Sequence, residues 1–199
     1  MKKLALIIGI GTFTFVSCGG ENTETENNEG TDTTAAVVEE VEEDEPSGKI
    51  LLSPRMEATA MIDENEIYVD YGAPSVRERA IWGELVKYDK VWRAGANETT
   101  AFTFSADTKL NGNDIAAGTY AFFIIPKEGA EWTVVLNEEW SVEEHDAWGS
   151  SHYDEAKDVL RFDVTPEWSE EITETLTYSV DEAGISFAWE KARFTIAVG

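Results

Sequence analysis

Apolar and polar residues alternate with a period of two along most of the chain beyond residue 50. In residues 159–164, Leu160, Phe162 and Val164 share one face, and the residues between them are mostly polar. The same alternation recurs in 175–180 and again close to the C-terminus. Successive side chains of a strand point to opposite faces, so this pattern predicts half-buried β-strands and no long helix.

Short turn sequences separate these strands. Asn111-Gly112 favours a tight hairpin, because both central residues of such a turn need positive φ. Short helices are predicted for 75–85 and 138–148 only. No 20–50-residue unit repeats, which argues against a propeller or a solenoid. The predicted strands are 57–62, 66–71, 100–105, 119–125, 132–137, 159–164, 175–180, 185–189 and 194–198.

Many short strands with short connections predict an all-β domain. We expect an antiparallel β-sandwich, either jelly-roll-like or an open barrel, with one long irregular segment and at most short helices. The expected limits of this domain are residues 50–199.

The chain is strongly acidic: 40 acids against 15 bases give a formal net charge of -25. Nucleic acid is therefore not an expected partner, because binding it requires a basic surface that displaces counterions. The charge instead favours a soluble, self-repelling domain.

The N-terminus has the features of an export signal. Lys2 and Lys3 precede an apolar run over 4–16, and Ser17 precedes Cys18, which is the only cysteine. Residues 15–18 resemble the lipobox of bacterial lipoproteins. We therefore expect a lipoprotein signal peptide at 1–17, lipidation of Cys18, and a lipid anchor in the bacterial cell envelope as the only membrane contact. The outer membrane is the expected location, with its face left open; the alternative is an ordinary signal peptide.

The stretch after the leader is acidic and poor in apolar residues. Residues 19–48 hold 11 acids and no base. Such a composition cannot bury enough apolar surface to offset the entropy of the chain. Residues 18–49 are therefore predicted to be the lipidated cysteine and a disordered tether.

Most catalytic signatures are absent from the sequence. His145 and His152 are the only histidines, and their spacing matches no compact metal motif, so exposed loop histidines are favoured over a metal site. No nucleophile elbow and no phosphate-binding glycine loop occurs. We predict no catalytic residue, no metal and no cofactor.

The irregular segment 68–104 is the best candidate for a site. Of the 13 bases in 49–199, five fall within 77–93. Arginine can bind carboxylate or phosphate through two hydrogen bonds, and tryptophan offers a flat apolar surface for sugars. The tentative ligand site, for a glycan or a small polar ligand, comprises Arg79, Trp92, Arg93, Asn97 and Glu98. Alternatively, this network pins the loop to the sandwich, with Trp82 and Trp92 filling the core beneath it, and the loop's need for backbone partners favours that role.

The same segment carries a family resemblance. It reads YGAPSVRERAIWGELV over 71–86 and VWRAGANETT over 91–100, and shorter matches follow to the C-terminus. These motifs resemble DUF2911, a family of unknown function found in secreted proteins and lipoproteins of diderm bacteria. The resemblance implies an exported all-β domain without an assigned activity.

Two classes of function remain open. The first is a non-catalytic binding or structural module of the cell envelope, with Trp148 and Tyr153 as neighbours of the site. The second is an envelope hydrolase acting on glycans or peptides, in which Glu98 is the acid or base. The oligomeric state is left open.

Overall fold

A computed structural model describes residues 53–199, so the expected signal peptide, Cys18 and the tether lie outside the described residues. The predicted strands 185–189 and 194–198 form one continuous strand, and two short strands flank the predicted turn at Asn111-Gly112. The described part contains ten strands in all. They are β1 (Arg55–Ile62), β2 (Asn65–Gly72), β3 (Thr100–Phe104), β4 (Thr108–Leu110), β5 (Asn113–Ile115), β6 (Gly118–Ile125), β7 (Trp132–Asn137), β8 (Asp158–Val164), β9 (Glu167–Asp181) and β10 (Gly184–Ile196).

Six strands form one antiparallel sheet in the order β1-β2-β3-β6-β7-β8. The order follows the chain, and the β4–β5 hairpin is inserted between β3 and β6. That hairpin turns at Asn111 and Gly112, whose φ angles of 47° and 79° confirm the predicted turn.

The long strands β9 and β10 pair with each other and form the second layer. Their alternating apolar residues, among them Leu176, Tyr178 and Phe187, are buried in one core with Phe102 and Phe122 of the six-stranded sheet. The predicted all-β sandwich is confirmed, because one apolar face of each layer covers the other.

One of the two predicted short helices is present. Helix α1 (Val142–His145) lies within 138–148 and is capped by Ser141, whose hydroxyl accepts a hydrogen bond from the Glu144 amide. The prediction of a helix over 75–85 is wrong, because Arg77 and Glu78 both take positive φ, which a right-handed helix excludes. Within 53–199 no helix has the length and apolarity needed to cross a membrane.

The segment between β2 and β3 is fixed to both layers through its backbone. Val76 donates to the carbonyl of Glu174 in β9 at 2.7 Å, and Leu176 donates back to Pro74 at 2.9 Å. Trp92 exchanges two hydrogen bonds with Ile124 of β6, at 2.8 and 2.9 Å. The main chain of the segment therefore contributes to holding it on both layers.

Candidate functional site

A cleft of about 460 Å³ lies beside the segment 79–97. We call it the basic cleft, because Arg79, Lys87, Lys90 and Arg93 all line it and no aspartate or glutamate does. The described domain contains only 12 bases, so a third of them surround this one cleft. In a protein of net charge -25 the cleft is a local positive region that attracts anions.

Two of these cations already have partners outside the lining. Arg79 donates from Nε to the carbonyl of Val76 at 3.0 Å and from Nη2 to the carbonyl of Ser75 at 2.5 Å. The ammonium of Lys87 lies 3.6 Å from a carboxylate oxygen of Glu84, three residues earlier in the chain, and both side chains are exposed. These contacts orient the two side chains and weaken their charge only slightly.

Arg93 differs from both. Its side chain is partly buried and donates no hydrogen bond to any residue of 53–199, and its Nε is fully buried without a partner. Desolvation lowers the pKa of Arg93 from its ordinary value, and the nearby charge of Glu98 partly raises it again. A buried N–H without an acceptor costs about 1–3 kcal/mol, so the native fold retains an unfavourable group here.

A second unpaired donor lies in the same cleft. Trp189 of β10 is 1% exposed, and its indole Nε1 has no hydrogen-bond partner among the described residues. Trp92 stacks on this ring with the centroids 5.5 Å apart. The lining therefore combines four cations with two residues that each carry a buried, unpaired N–H group. Cations of this kind bind most strongly to anions with several acceptor oxygens.

A neighbouring cleft of about 530 Å³ holds the other half of the predicted site. We call it the tryptophan cleft, because the exposed rings of Trp140 and Trp148 line it. The two clefts meet at Asn97, whose Nδ2 donates to the carbonyl of Ser53 at 3.1 Å; both residues line both clefts.

Arg55 contacts two of the acidic residues that line the tryptophan cleft, Asp70 and Glu98. It holds both carboxylate oxygens of Asp70, at 2.6 and 2.7 Å, and donates to the carbonyl of Thr99 at 3.1 Å. Its Nη1 lies 3.7 Å from the carboxylate of Glu98. Glu98 therefore lies in an open cleft beside a second carboxylate, but Arg55 is already bound to that carboxylate.

The structure thus divides the five predicted residues between two clefts. Arg79, Trp92 and Arg93 line the basic cleft, Glu98 lines the tryptophan cleft, and Asn97 lies between them. Trp148 is a neighbour of Glu98 as expected. Tyr153 lines neither cleft and instead donates its hydroxyl to Asp158 at 2.7 Å. Trp82 packs against the core, 4.5 Å from Trp132 between ring centroids.

Sequence reasoning missed Arg55, Trp140 and Trp189 as residues of these clefts. Arg55 lies before the segment 68–104. Trp189 falls in an alternating stretch whose pattern predicts a buried strand residue. The sequence signal that would have found Trp140 is weak: it is a tryptophan in a polar stretch, EEWSVEE, with no apolar pattern to bury it.

The two histidines lie near the tryptophan cleft and not in it. His145 accepts a hydrogen bond from the Ser141 amide at 3.1 Å, and the exposed His152 lies 3.4 Å from a carboxylate oxygen of Asp146. Among residues 53–199, no three carboxylate, imidazole or thiol groups come together as a metal site would require.

A larger groove of about 900 Å³ lies at the turns around Asp63 and Asp107 and the C-terminus. It is open, four of its five charged lining residues are acids, and its single base, Lys109, is paired with Asp114. It contains neither a predicted site residue nor an exposed aromatic ring, so the two clefts described above are the better candidates despite their smaller volumes.

Comparison with known proteins places the domain in a family. The family described as "Protein of unknown function (DUF2911)" matches residues 53–198. The chain belongs to DUF2911. No curated protein and no solved structure matches it. The DUF2911 match covers all ten strands and the residues that line both clefts.

Proposed function

We propose that this DUF2911 domain is a non-catalytic binding module that takes a small polar ligand carrying a carboxylate or a phosphate in the basic cleft. The observation that carries the proposal is the chemistry of the lining: four cations, two unpaired N–H donors and no carboxylate. An anion with several oxygens would pair these donors and offset the cost of burying Arg93.

The volume of the cleft fits such a ligand. At about 460 Å³ it lies within the range of roughly 300–1,000 Å³ typical of small-molecule sites. Trp92 and Trp189 are apolar residues of the lining. A ligand with one anionic group and a flat or ring-shaped body therefore suits the cleft better than a bare ion.

The rival function is hydrolysis with Glu98 as acid or base. One observation favours it, because Glu98 shares an open cleft with Asp70 and Glu143. Against it, both oxygens of Asp70 are held by Arg55, and Glu143 accepts from the hydroxyl of Ser141 at 3.2 Å. A pair of carboxylates free to exchange protons with a substrate is not assembled, so binding is the better supported role.

We further propose that the domain is anchored in the bacterial cell envelope through a lipidated Cys18, at the outer membrane. The support is the leader at 1–17, the lone cysteine at its end and the acidic tether that follows. Mass spectrometry of the mature protein is the test. A diacylated or triacylated Cys18 is expected, and a free thiol there would contradict the anchor.

The binding proposal is tested by calorimetric titration with inorganic phosphate and with glucuronate, at constant ionic strength maintained with chloride. The purified protein is compared with the double variant Arg93→Gln/Lys90→Gln and with the control Lys191→Gln, an exposed base outside the cleft.

We expect saturable binding of at least one probe, weakened about a hundredfold by the double variant and less than twofold by the control. Equal binding by the double variant would exclude the basic cleft. Equal loss with Lys191→Gln would indicate a general charge effect without a site.

A further inference from the structure

The tryptophan cleft has a composition that the anion-binding proposal does not explain. Of the residues that line it, Arg55 is the only base, while Asp70, Glu98 and Glu143 are acids. An anionic ligand is disfavoured there by like charge. The cleft instead mixes donors and acceptors beside two aromatic rings.

The two rings are exposed and make no aromatic contact within 53–199. Trp140 is 38% exposed and Trp148 is 46% exposed. Trp168 is also exposed, at 51%, but its ring packs edge-on against Trp82 and Trp132 with centroids 6.3 and 6.1 Å away. Trp140 and Trp148 therefore keep a free ring surface, and both direct it to one cleft.

The backbone under Trp148 is held firmly. The hydroxyl of Thr99 lies 2.7 Å from the carbonyl of Ala147 and 3.0 Å from that of Gly149, so its single hydrogen is shared between the residues on either side of Trp148. Thr99 is only 2% exposed and follows Glu98 directly. The backbone on both sides of Trp148 is thus held by one buried side chain, that of the residue after Glu98.

Trp140 is held at the other end of the same loop. The carbonyl of the next residue, Ser141, accepts from the amides of His145 at 3.0 Å and Ala147 at 3.3 Å, which closes the chain between the two tryptophans. A loop whose backbone is already held loses less entropy when the site binds a ligand, so these contacts favour affinity.

We propose that the tryptophan cleft is a separate binding site for neutral sugar units, with one pyranose ring stacked on Trp148 or Trp140. The apolar face of a pyranose matches the flat indole surface. Its hydroxyls both donate and accept, which suits a wall of carboxylates and a guanidinium. The volume of about 530 Å³ is of the size that holds a small oligosaccharide.

This site is separate from the anion site in the basic cleft. The two clefts share only Ser53 and Asn97. Occupation of one cleft is therefore measurable while the other is empty, and either proposal can fail without the other.

The test is a titration of the purified protein with neutral oligosaccharides of glucose, galactose, mannose and N-acetylglucosamine, followed by calorimetry and by tryptophan fluorescence. Trp140→Ala and Trp148→Ala are compared with Trp168→Ala, an equally exposed tryptophan outside the cleft. Phosphate binding in the basic cleft is measured in parallel.

We expect at least one oligosaccharide to bind and to shift the fluorescence, with affinity about tenfold lower in Trp140→Ala and in Trp148→Ala. Trp168→Ala should bind as the wild type does, and phosphate binding should not change in Trp140→Ala. Failure of the whole panel at millimolar concentration would overturn the proposal. An equal loss of affinity in Trp168→Ala would overturn it too. So would preferential binding of an aromatic peptide that none of the sugars displaces.

Discussion

The guanidinium of Arg93 lies directly beneath Gly149. A β-carbon placed on Gly149 would come within 2.8 Å of Nη1 and 3.1 Å of Cδ of Arg93. The two clefts therefore share a structural support: the loop that presents Trp148 can rest on Arg93 only because the next residue has no side chain.

We predict that Gly149→Ala destabilises the domain more than Gly129→Ala. Both glycines have φ of 64°, so each alanine is strained by about 1–2 kcal/mol. A β-carbon on Gly129 would meet nothing within 4 Å, whereas one on Gly149 displaces Arg93, which adds about 1–3 kcal/mol. Urea unfolding measures the difference.

A double variant separates strain from contact. Adding Arg93→Ala to Gly149→Ala should recover the contact cost and leave only the cost of the positive φ. If the double variant is as unstable as the sum of the two single changes, the contact between the residues is not the cause.

We predict that Arg93→Met leaves the free energy of unfolding unchanged or raises it by about 1 kcal/mol in anion-free buffer. The substitution removes a buried donor that has no partner. It should also abolish stabilisation by phosphate, as measured by thermal unfolding with and without the anion.

Arg193→Met is the matched control for that variant. Arg193 is also partly buried, but it donates to the carbonyls of Glu190, Ala192 and Glu171 at 3.1, 2.9 and 2.9 Å. Its loss should cost about 1–3 kcal/mol. Equal destabilisation by the two substitutions would show that Arg93 has a structural role that its contacts do not reveal.

We predict that Asp70→Asn destabilises the domain by about 1 kcal/mol and that Glu98→Gln changes its stability by less than about 0.5 kcal/mol. Asp70 binds Arg55 through both oxygens, whereas Glu98 approaches Arg55 only at 3.7 Å and its side chain is 41% exposed. Chemical denaturation of both variants checks the order. A larger cost for Glu98→Gln would show that Glu98 pins the loop.

We predict that Tyr153 titrates above the usual range of a tyrosine side chain. Burial, and then a hydrogen bond to Asp158, raise the pKa of Tyr153 from 10.0 to about 12. The folded protein therefore keeps a proton that the unfolded chain loses near pH 10, so this group's contribution to stability is intact below pH 10 and declines between pH 10 and about 12.

Ultraviolet titration of phenolate formation measures this shift. The difference between the wild type and Tyr153→Phe should be a single transition near pH 12, and the variant should lose less stability over that window. A difference spectrum that titrates near pH 10 would show that Tyr153 is not buried against Asp158 in solution.

The strands were accessible from sequence because their signal is local. Leu176 and Tyr178 alternate with polar neighbours, and that pattern alone places them on the inner face of β9. That residues 75–85 form no helix was not predictable in the same way. The composition of this stretch permits a helix. Its left-handed residues, Arg77 and Glu78, follow the contacts that Val76 and Pro74 make with β9.

The candidate site was only partly accessible for a related reason. The clustering of bases in 77–93 marked Arg79 and Arg93, because charge patterns are visible in the sequence. Whether a tryptophan is buried is not visible: Trp132 and Trp148 have the same side chain, but only the first is enclosed by the sandwich.

The sequence by itself determined the all-β class, the acidic charge and the segment where the bases gather, and the export signal stays a prediction. Each depends on residues close together in the chain. Tertiary structure decided that Arg93 and Trp189 have unpaired donors in one cleft and that Arg55 reaches Asp70 and Glu98 in another. These facts depend on which distant strands become neighbours, because burial and pairing are properties of the packed chain.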